Sequence, residues 1–260
     1  MAPADTGTLG KLMSVLDAIA SCEDPPRFSD LLAMTGEPRG TLHRHLRHLV
    51  GEGLAEIDES GRYRPGLRLL NLASRAWETN DLRRIARPHL EMLGDAVGET
   101  VHLGVLRGAE IVYLDKVEAR QAVRMYSRIG NASPIHCTGI GKAATSTLPD
   151  KRLQDLVRAL NFRRFTPSTI TTPQDFVREI ETLRQTGFAY DLEEHEQGIR
   201  CIAAPVSARG IAAGISVTAP AYRAEPDRME DWKRPLAHAA AAINVELEAR
   251  LGPVRPHDDK

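Results

Sequence analysis

The 260-residue chain has few cysteines, no long apolar run and almost no net charge. Its three cysteines, Cys22, Cys137 and Cys201, cannot all pair, which argues against a disulfide framework and favours a reducing compartment. No run approaches the ~20 apolar residues that span a bilayer, and the first residues lack a basic stretch followed by an apolar one. We therefore expect a soluble, cytoplasmic protein with no membrane partner.

Because the chain has almost no net charge, only a local cluster of basic residues can indicate a nucleic-acid site. Lysine and arginine number 34 against 35 acidic residues, so the chain as a whole does not attract phosphate. Residues 38–51, however, hold three arginines, three histidines and no acid. Leucines recur there at helical spacing, so one helix face would be buried and the other cationic. The stretch predicts a DNA recognition helix with these candidate contacts: Arg39, Gly40, Thr41, His43, Arg44 and Arg47.

Two helices are predicted ahead of this stretch. Apolar residues recur at helical spacing over 9–22, and the breaker run 23–26 ends that helix. Ser29 is a candidate N-cap for a second helix, and Thr35 with Gly36 supplies the tight turn into the recognition helix. Helix, helix, glycine turn and helix is the order of a helix-turn-helix motif.

A short hairpin is predicted after the recognition helix. Residues 53–57 and 62–65 alternate around a turn-forming run, and Arg62 lies near the tip, where it is a further candidate DNA contact. Such a hairpin is the wing of a winged helix-turn-helix. We place the DNA-binding domain at 1–66; the alternative is a winged helix that contacts another protein.

An amphipathic helix is predicted in the linker that follows, placed at 67–82. Leu69, Ala73, Ala76 and Trp77 fall on one side of it. This stripe packs either against a second copy of the chain in a dimer or against the chain's own second domain. The sequence leaves both arrangements open.

The second domain, placed at 83–252 before a tail at 253–260, alternates helices with paired strands. Sequential hairpins flanked by helices indicate an α+β domain. The predicted helices span 85–97, 139–148, 150–159, 173–186 and 226–251. The predicted strands span 100–106, 110–117, 122–128, 188–192, 199–206 and 211–218.

Two groups of residues in this domain are candidates for a ligand site. Residues 138–142 open a predicted helix, where glycines let backbone N–H groups approach an anion; the alternative is an ordinary helix start packed closely at its glycines. Polar groups that suit a hydroxyl or a carbonyl lie on consecutive predicted strands: Asp191, Cys201, Ser216 and Thr218.

A set of motifs in order along the chain resembles the IclR-type bacterial transcriptional regulators. The motifs are residues 31–49, Gly53-Leu54, 61–63, 66–69, 85–90, 98–103, 134–138, 141–143, 187–189 and 198–206. The resemblance covers roughly residues 8–250. It implies a winged helix-turn-helix followed by an effector domain similar to a GAF-type sensor, with helices on an antiparallel sheet. His45 departs from this resemblance, since the family usually has an apolar residue there. The departure predicts looser packing of the recognition helix against the wing.

The same resemblance implies an effector site. IclR-type sensors of glyoxylate or pyruvate bind their effector at a set of positions that match the following residues of this sequence: Gly139, Ile140, Asp191, Cys201, Ser216 and Thr218. Gly141 lies beside this set, and Met125 is expected at the apolar wall of the site. Residues 123–130 look like the branch that responds to 2-keto-3-deoxygluconate. We therefore expect a small carboxylate or keto-acid effector, with a 2-keto sugar acid ahead of glyoxylate, pyruvate and aromatic acids.

The function predicted from these features is that of a regulator, most simply a repressor, of a catabolic operon. A dimer or dimer of dimers would bind palindromic double-stranded DNA. We expect no enzyme, although Cys201, His195 and Asp191 offer the residue types of a nucleophile, base and orienting acid. We also expect no cofactor and no metal; the alternative is a metal or redox switch built from His136, Cys137 and Cys201.

Overall fold

The computed structural model describes residues 7–119, 127–208 and 210–251. The chain divides into two compact units between Thr79 and Asn80, within the segment predicted as the linker. Each unit has its own hydrophobic core.

The first unit is a winged helix-turn-helix followed by a further helix. Its elements are α1 (Gly7–Ala20), α2 (Phe28–Thr35), α3 (Arg39–Gly51), β1 (Ala55–Ile57), β2 (Tyr63–Pro65) and α4 (Leu67–Glu78). The leucine stripe of α3 packs against Val15, Leu16 and Ile19 of α1. Gly36 ends α2 with a φ of 63°, a left-handed conformation that glycine adopts without strain.

Two local predictions for this unit are wrong. The N-cap of α2 is Arg27 and not Ser29, because the carboxylate of Asp30 accepts the Arg27 N–H at 2.8 Å and begins the helix earlier. The looser packing predicted from His45 is also not found. Its ring is 2% exposed, and Nδ1 lies 2.9 Å from a carboxylate oxygen of Glu37, so a buried polar pair replaces the apolar contact.

The second unit has a six-stranded antiparallel sheet with helices on both faces, as the α+β prediction required. Its helices are α5 (Asp81–Val97), α6 (Gly139–Ser146), α7 (Asp150–Ala159), α8 (Pro173–Thr186) and α9 (Pro226–Leu251). Its strands are β3 (Thr100–Arg107), β4 (Glu110–Val117), β5 (Ala132–Pro134), β6 (Ala189–Leu192), β7 (Ile199–Ala208) and β8 (Ile211–Pro220). The strand order is β5-β4-β3-β8-β7-β6. Helices α5 and α9 cover one face, and α6, with α8 packed on it, covers the other.

In the second unit, most bounds lie within two residues of the predicted ones, and two elements differ by more. Helix α5 begins four residues before the predicted 85, because the side chain of Asn80 caps it by accepting the Arg83 N–H at 3.0 Å. The strand predicted over 122–128 lies mostly outside the described residues, and the described strand that pairs with β4 comes later, at β5. None of the helices in the described ranges is long and apolar enough to cross a membrane.

Candidate DNA-binding surface and effector site

The outward face of α3 is exposed and cationic. His43, Arg44 and Arg47 are exposed, whereas the alternate face is buried through Leu42, Leu46 and Leu49. Arg39 and Gly40 are exposed at the N-terminal end of the helix, and Thr41 is half-buried. Neither Arg44 nor Arg47 forms an ion pair with an acid of residues 7–119, 127–208 or 210–251. Both guanidinium groups are therefore free to meet phosphates or base edges.

Phe28, at the start of α2, organises the beginning of this surface. The guanidinium carbon of Arg39 lies 5.2 Å from the centre of the Phe28 ring, within the range of a cation–π contact. The imidazole of His43 packs on the same ring at a centroid distance of 6.4 Å. Phe28 is not among the contacts predicted from the sequence, because an aromatic residue at the start of a short helix gives no signal of this role.

Arg62 lies past the tip of the wing. The turn is formed by residues 58–61, with the Asp58 carboxylate accepting backbone N–H groups of Ser60 at 2.9 Å and Arg62 at 3.0 Å. The Arg62 guanidinium donates to the carbonyl oxygen of Pro25 at 2.9 Å. Its backbone forms a β-bridge with Arg27. This arginine ties the wing to the chain before α2, a contact that the sequence prediction did not include.

The second unit holds a cavity of about 240 Å³ on the sheet face that α6 covers. Most of its lining residues carry a hydroxyl, imidazole, carboxyl or amide group. The lining residues are His102, Tyr113, Ser127, Asn131, Ala132, Ser133, Thr138, Ile140, Asp191, His195, Glu196, Ile199, Cys201, Ser216 and Thr218. No lysine or arginine of the described residues is among them, so an anion would have to be held by neutral donors and by backbone N–H groups.

Sheet register explains why residues distant in sequence meet in this cavity. Asp191 of β6 pairs with Cys201 of β7, and Cys201 pairs with Thr218 of β8. Two residues further along β8, Ser216 pairs with His102 of β3. Directly paired residues and residues two apart on a strand share one face of a sheet. The register therefore places five polar side chains in two adjacent rows.

The glycines at the start of α6 hold the helix close to the sheet and do not line the cavity. A Cβ added to Gly139 would lie 2.6 Å from the Cys201 sulfur, and one added to Gly141 would lie 2.6 Å from the Cα of Ile135. A contact between the backbone N–H groups of these glycines and a ligand carboxylate stays a prediction. The N-cap Thr138 makes no side-chain capping bond in the described structure, since its hydroxyl donates to the carbonyl oxygen of Pro134 at 2.7 Å. The Thr138 side chain therefore does not satisfy the backbone N–H groups of the first helical turn.

Burial raises the pKa of the Asp191 carboxyl to about 7. Its Oδ1 accepts the N–H of Glu194 at 2.7 Å. Behind it, the fully buried Lys142 donates to Glu194 at 2.7 Å and to Glu179 at 3.3 Å. Burial by itself disfavours the lysine's charge, but these two carboxylates outweigh it and raise the pKa of Lys142. The ammonium group is thus committed to neighbouring glutamates, and Asp191 is half-protonated near neutral pH.

Models of two families match nearly the whole chain. Residues 8–59 match the IclR helix-turn-helix domain, and residues 74–245 match the bacterial transcriptional regulator IclR C-terminal domain. The chain belongs to the IclR family. It is a DNA-binding transcriptional regulator, and its α+β unit has the family's effector-domain fold.

Relatives of this IclR-family chain match it over more than nine-tenths of its length. It is 32% identical over 241 residues to the regulator XynR of Escherichia coli (strain K12), covering 91% of this chain and 95% of XynR. It is 31% identical over 248 residues to KdgR of Dickeya chrysanthemi, covering 94% and 81% respectively. A crystal structure of an IclR homologue complexed with 4-hydroxybenzoate from Microbacterium hydrocarbonoxydans superposes with a TM-score of 0.76 at 26% identity, covering 94% of this chain and 100% of that one.

Two buried thiols of this IclR-family regulator, Cys137 and Cys201, have raised pKa values. Burial, with Asp191 the next contributor, raises the pKa of both Cys137 and Cys201 to about 12, so neither is a thiolate near neutral pH. His136 is occupied, because its Nε2 lies 2.9 Å from the carbonyl oxygen of Arg163. The described residues contain no group of three or more His, Cys, Asp or Glu placed to hold a metal ion. The metal or redox alternative therefore has no supporting observation.

The residues that line the cavity include some that were predicted from the sequence and others that were not. Ile140, Asp191, Cys201, Ser216 and Thr218 were predicted and do line it. Met125 lies outside the described residues. The predicted set did not include these lining residues: His102, Tyr113, Ser127, Asn131, Ser133, Thr138, His195 and Glu196. One signal was available, since polar residues at alternate positions of an otherwise apolar central strand, as in Thr100 and His102, indicate a polar site on one sheet face.

Proposed function

We propose that the protein represses a catabolic operon and that a small acidic, hydroxylated metabolite bound in the cavity controls its DNA affinity. The observation that carries this proposal is the polar cavity beneath α6, in the effector domain of a chain whose other unit presents an unpaired cationic helix. A site lined by hydroxyl, carboxyl and imidazole groups suits a ligand with several oxygen atoms.

Cavity size favours a 2-keto sugar acid over smaller keto acids. The cavity of about 240 Å³ is larger than the ~150 Å³ engineered cavity that accommodates benzene, a six-carbon ring. A three-carbon acid would leave much of that space to water. The name of the relative KdgR denotes a regulator responsive to keto-deoxygluconate, and a solved homologue binds another carboxylic acid, 4-hydroxybenzoate. We place the ligand carboxylate at the start of α6 and its hydroxyls on Asp191, Ser216 and Thr218.

DNA recognition is proposed to involve Arg39, Gly40, Thr41, His43, Arg44 and Arg47 of α3, with Arg62 from the wing. Two copies of α3, in a dimer or a dimer of dimers, would read a palindromic operator from within the cytoplasm. Effector binding would change the spacing of the two helices. A tenfold change in operator affinity requires about 1.4 kcal/mol of differential binding, which a few hydrogen bonds can supply.

The experiment that tests this function measures operator binding by fluorescence anisotropy. DNA fragments bound by the purified protein are first selected from a genomic library, and one is labelled. Arg44→Ala and Arg47→Ala should each weaken binding by about 1–3 kcal/mol, because each removes a contact to a base or a phosphate. Arg62→Ala should weaken binding to all sequences alike, since it both removes a cation and releases the wing from Pro25.

Arg158→Ala is the matched control, since this arginine is exposed on α7 and pairs with Asp155, one turn away on the same helix. It should bind the operator as the wild type does. Unchanged affinity in both α3 variants would remove that helix from the interface. Adding 2-keto-3-deoxygluconate should release the wild type from the operator, and no response to any keto or sugar acid in a panel would refute the effector class.

A further inference from the structure

The polar rows of the cavity extend across four strands. Asp191 lies on β6 and His102 on β3, with β7 and β8 between them. Neighbouring strands lie about 4.8 Å apart, so the backbones of these two residues are separated by about 14 Å across the sheet. A ligand that reaches from the Asp191 end to the His102 end must therefore be several bonds long.

His102 occupies the end of the cavity remote from Asp191. Its side chain is 3% exposed, and its Nδ1 lies 3.3 Å from the hydroxyl of Thr218 and 3.5 Å from that of Ser216. Its Nε2 lies 2.7 Å from the hydroxyl of Ser127. Burial, together with the charge of Lys116, lowers the pKa of this imidazole to about 3. The ring is therefore neutral, with one donor and one acceptor nitrogen, and it fixes which neighbouring hydroxyls donate and which accept.

The segment that carries Ser127 is held in place by independent contacts. The ammonium group of Lys116 donates to the Ser127 carbonyl oxygen at 3.1 Å. Further along, the Gly130 N–H donates to the Tyr113 carbonyl oxygen at 2.8 Å, and the Tyr113 N–H donates to that of Asn131 at 3.0 Å. Ser127 thus presents its hydroxyl to the cavity from a wall that does not depend on His102 alone.

We propose that Ser127, oriented by His102, is the specificity-determining end of the effector site: the Ser127 hydroxyl binds a hydroxyl at the end of the ligand opposite its carboxylate. This inference rests on the proposed function and names what the site selects. With C–C bonds of about 1.5 Å, an extended six-carbon hydroxy acid, including its terminal oxygens, spans about 8 Å and reaches both ends. A three-carbon keto acid contacts the Asp191 end alone.

Titration calorimetry with two acids tests the proposal on the full-length protein. 2-Keto-3-deoxygluconate and pyruvate are titrated into the wild type, His102→Asn and Ser127→Ala. Both variants should weaken binding of the six-carbon acid at least about tenfold and change pyruvate binding less than about twofold, because pyruvate does not reach them. His89→Asn, the same substitution at a histidine of α5 outside the cavity, should change neither affinity.

Other results of the calorimetry would contradict the proposal in specific ways. If His102→Asn and Ser127→Ala lose affinity for both acids equally, the two residues only maintain the structure of the cavity. If the wild type binds pyruvate as tightly as the six-carbon acid, the site does not select for ligand length and the proposal is wrong. If His102→Asn fails to fold, Ser127→Ala decides, because Ser127 is half-buried and its loss leaves the Lys116 contact intact. Failure of both acids to bind the wild type, with operator binding intact, would overturn the proposed effector class itself.

Discussion

Asp191 is the cavity residue whose charge depends most on pH in the physiological range. Burial raises its pKa to about 7, so the carboxyl is protonated below that pH and ionised above it. An ionised Asp191 repels an anionic ligand, whereas the protonated acid donates a hydrogen bond to it. Affinity for an acidic effector should therefore rise as the pH falls from 8 to 6. Calorimetry at several pH values measures this dependence.

The control for that prediction is Asp191→Asn, which is neutral at every pH and can still donate. Its affinity should be nearly independent of pH over the same range, and close to the wild-type value at pH 6. Asp175→Asn, at an exposed first-turn position of α8, should retain the wild-type dependence. A wild-type affinity that increases toward pH 8 would show that Asp191 acts as an acceptor for ligand hydroxyls instead.

Individual residues of the site were predictable only where sequence pattern and register agree. Asp191, Cys201, Ser216 and Thr218 were identified through the family resemblance, and the strand pairs place them together. His102 was not, because its partner Ser127 is 25 residues away and no local pattern joins them. The buried Lys142 was likewise missed: a lysine in the first turn of a helix gives no sign that two glutamates neutralise it in the core.

At the scale of elements, the distance between α6 and the sheet depends on Gly139. A Cβ there would lie 2.6 Å from the Cys201 sulfur, closer than real contacts permit. Gly139→Ala should therefore displace α6 and destabilise the protein by about 1–3 kcal/mol, measured by urea unfolding. It should also weaken effector binding, because the helix end that faces the ligand moves with it.

A double-mutant cycle checks the cause of that destabilisation. Cys201→Ala removes the sulfur, so Gly139→Ala should cost less in the Cys201→Ala background than in the wild type. The control is Gly40→Ala, because Gly40 is exposed and has open space at its Cβ position. Gly210→Ala would not serve, because Gly210 has a φ of 75°, a conformation that strains alanine. Gly40→Ala should unfold at or above the wild-type urea concentration. Additive effects in the cycle would refute the steric explanation.

Elements were more predictable than residues because each depends on local periodicity. The helical repeat and the Gly36 turn were sufficient for α1 to α3, and the bounds of α7, α8 and α9 match the prediction residue for residue. Errors arose where a side chain sets the boundary. Asp30 and Asn80 each move a helix start by satisfying a backbone N–H, an interaction that a periodicity count does not contain.

At the scale of the whole molecule, α4 has an apolar surface that its own unit leaves exposed. None of the residues of α4 is buried, and Leu67, Leu70 and Leu72 are 73%, 68% and 52% exposed. At 100° per residue, the apolar side chains Leu69, Leu70, Leu72, Ala73, Ala76 and Trp77 fall within about half of the helix circumference. An exposed apolar stripe of this length favours association with a second copy of the chain.

The protein should accordingly be a dimer or a tetramer, as measured by light scattering coupled to size-exclusion chromatography. Leu70→Glu and Trp77→Glu place a charge in the stripe and should shift the mass toward the monomer and weaken operator binding, because two half-sites are then read independently. Asn71→Glu, on the opposite polar face of α4, should leave the mass unchanged. A wild-type monomer at all concentrations would exclude the dimeric regulator, and wild-type assembly in both stripe variants would move the interface away from α4.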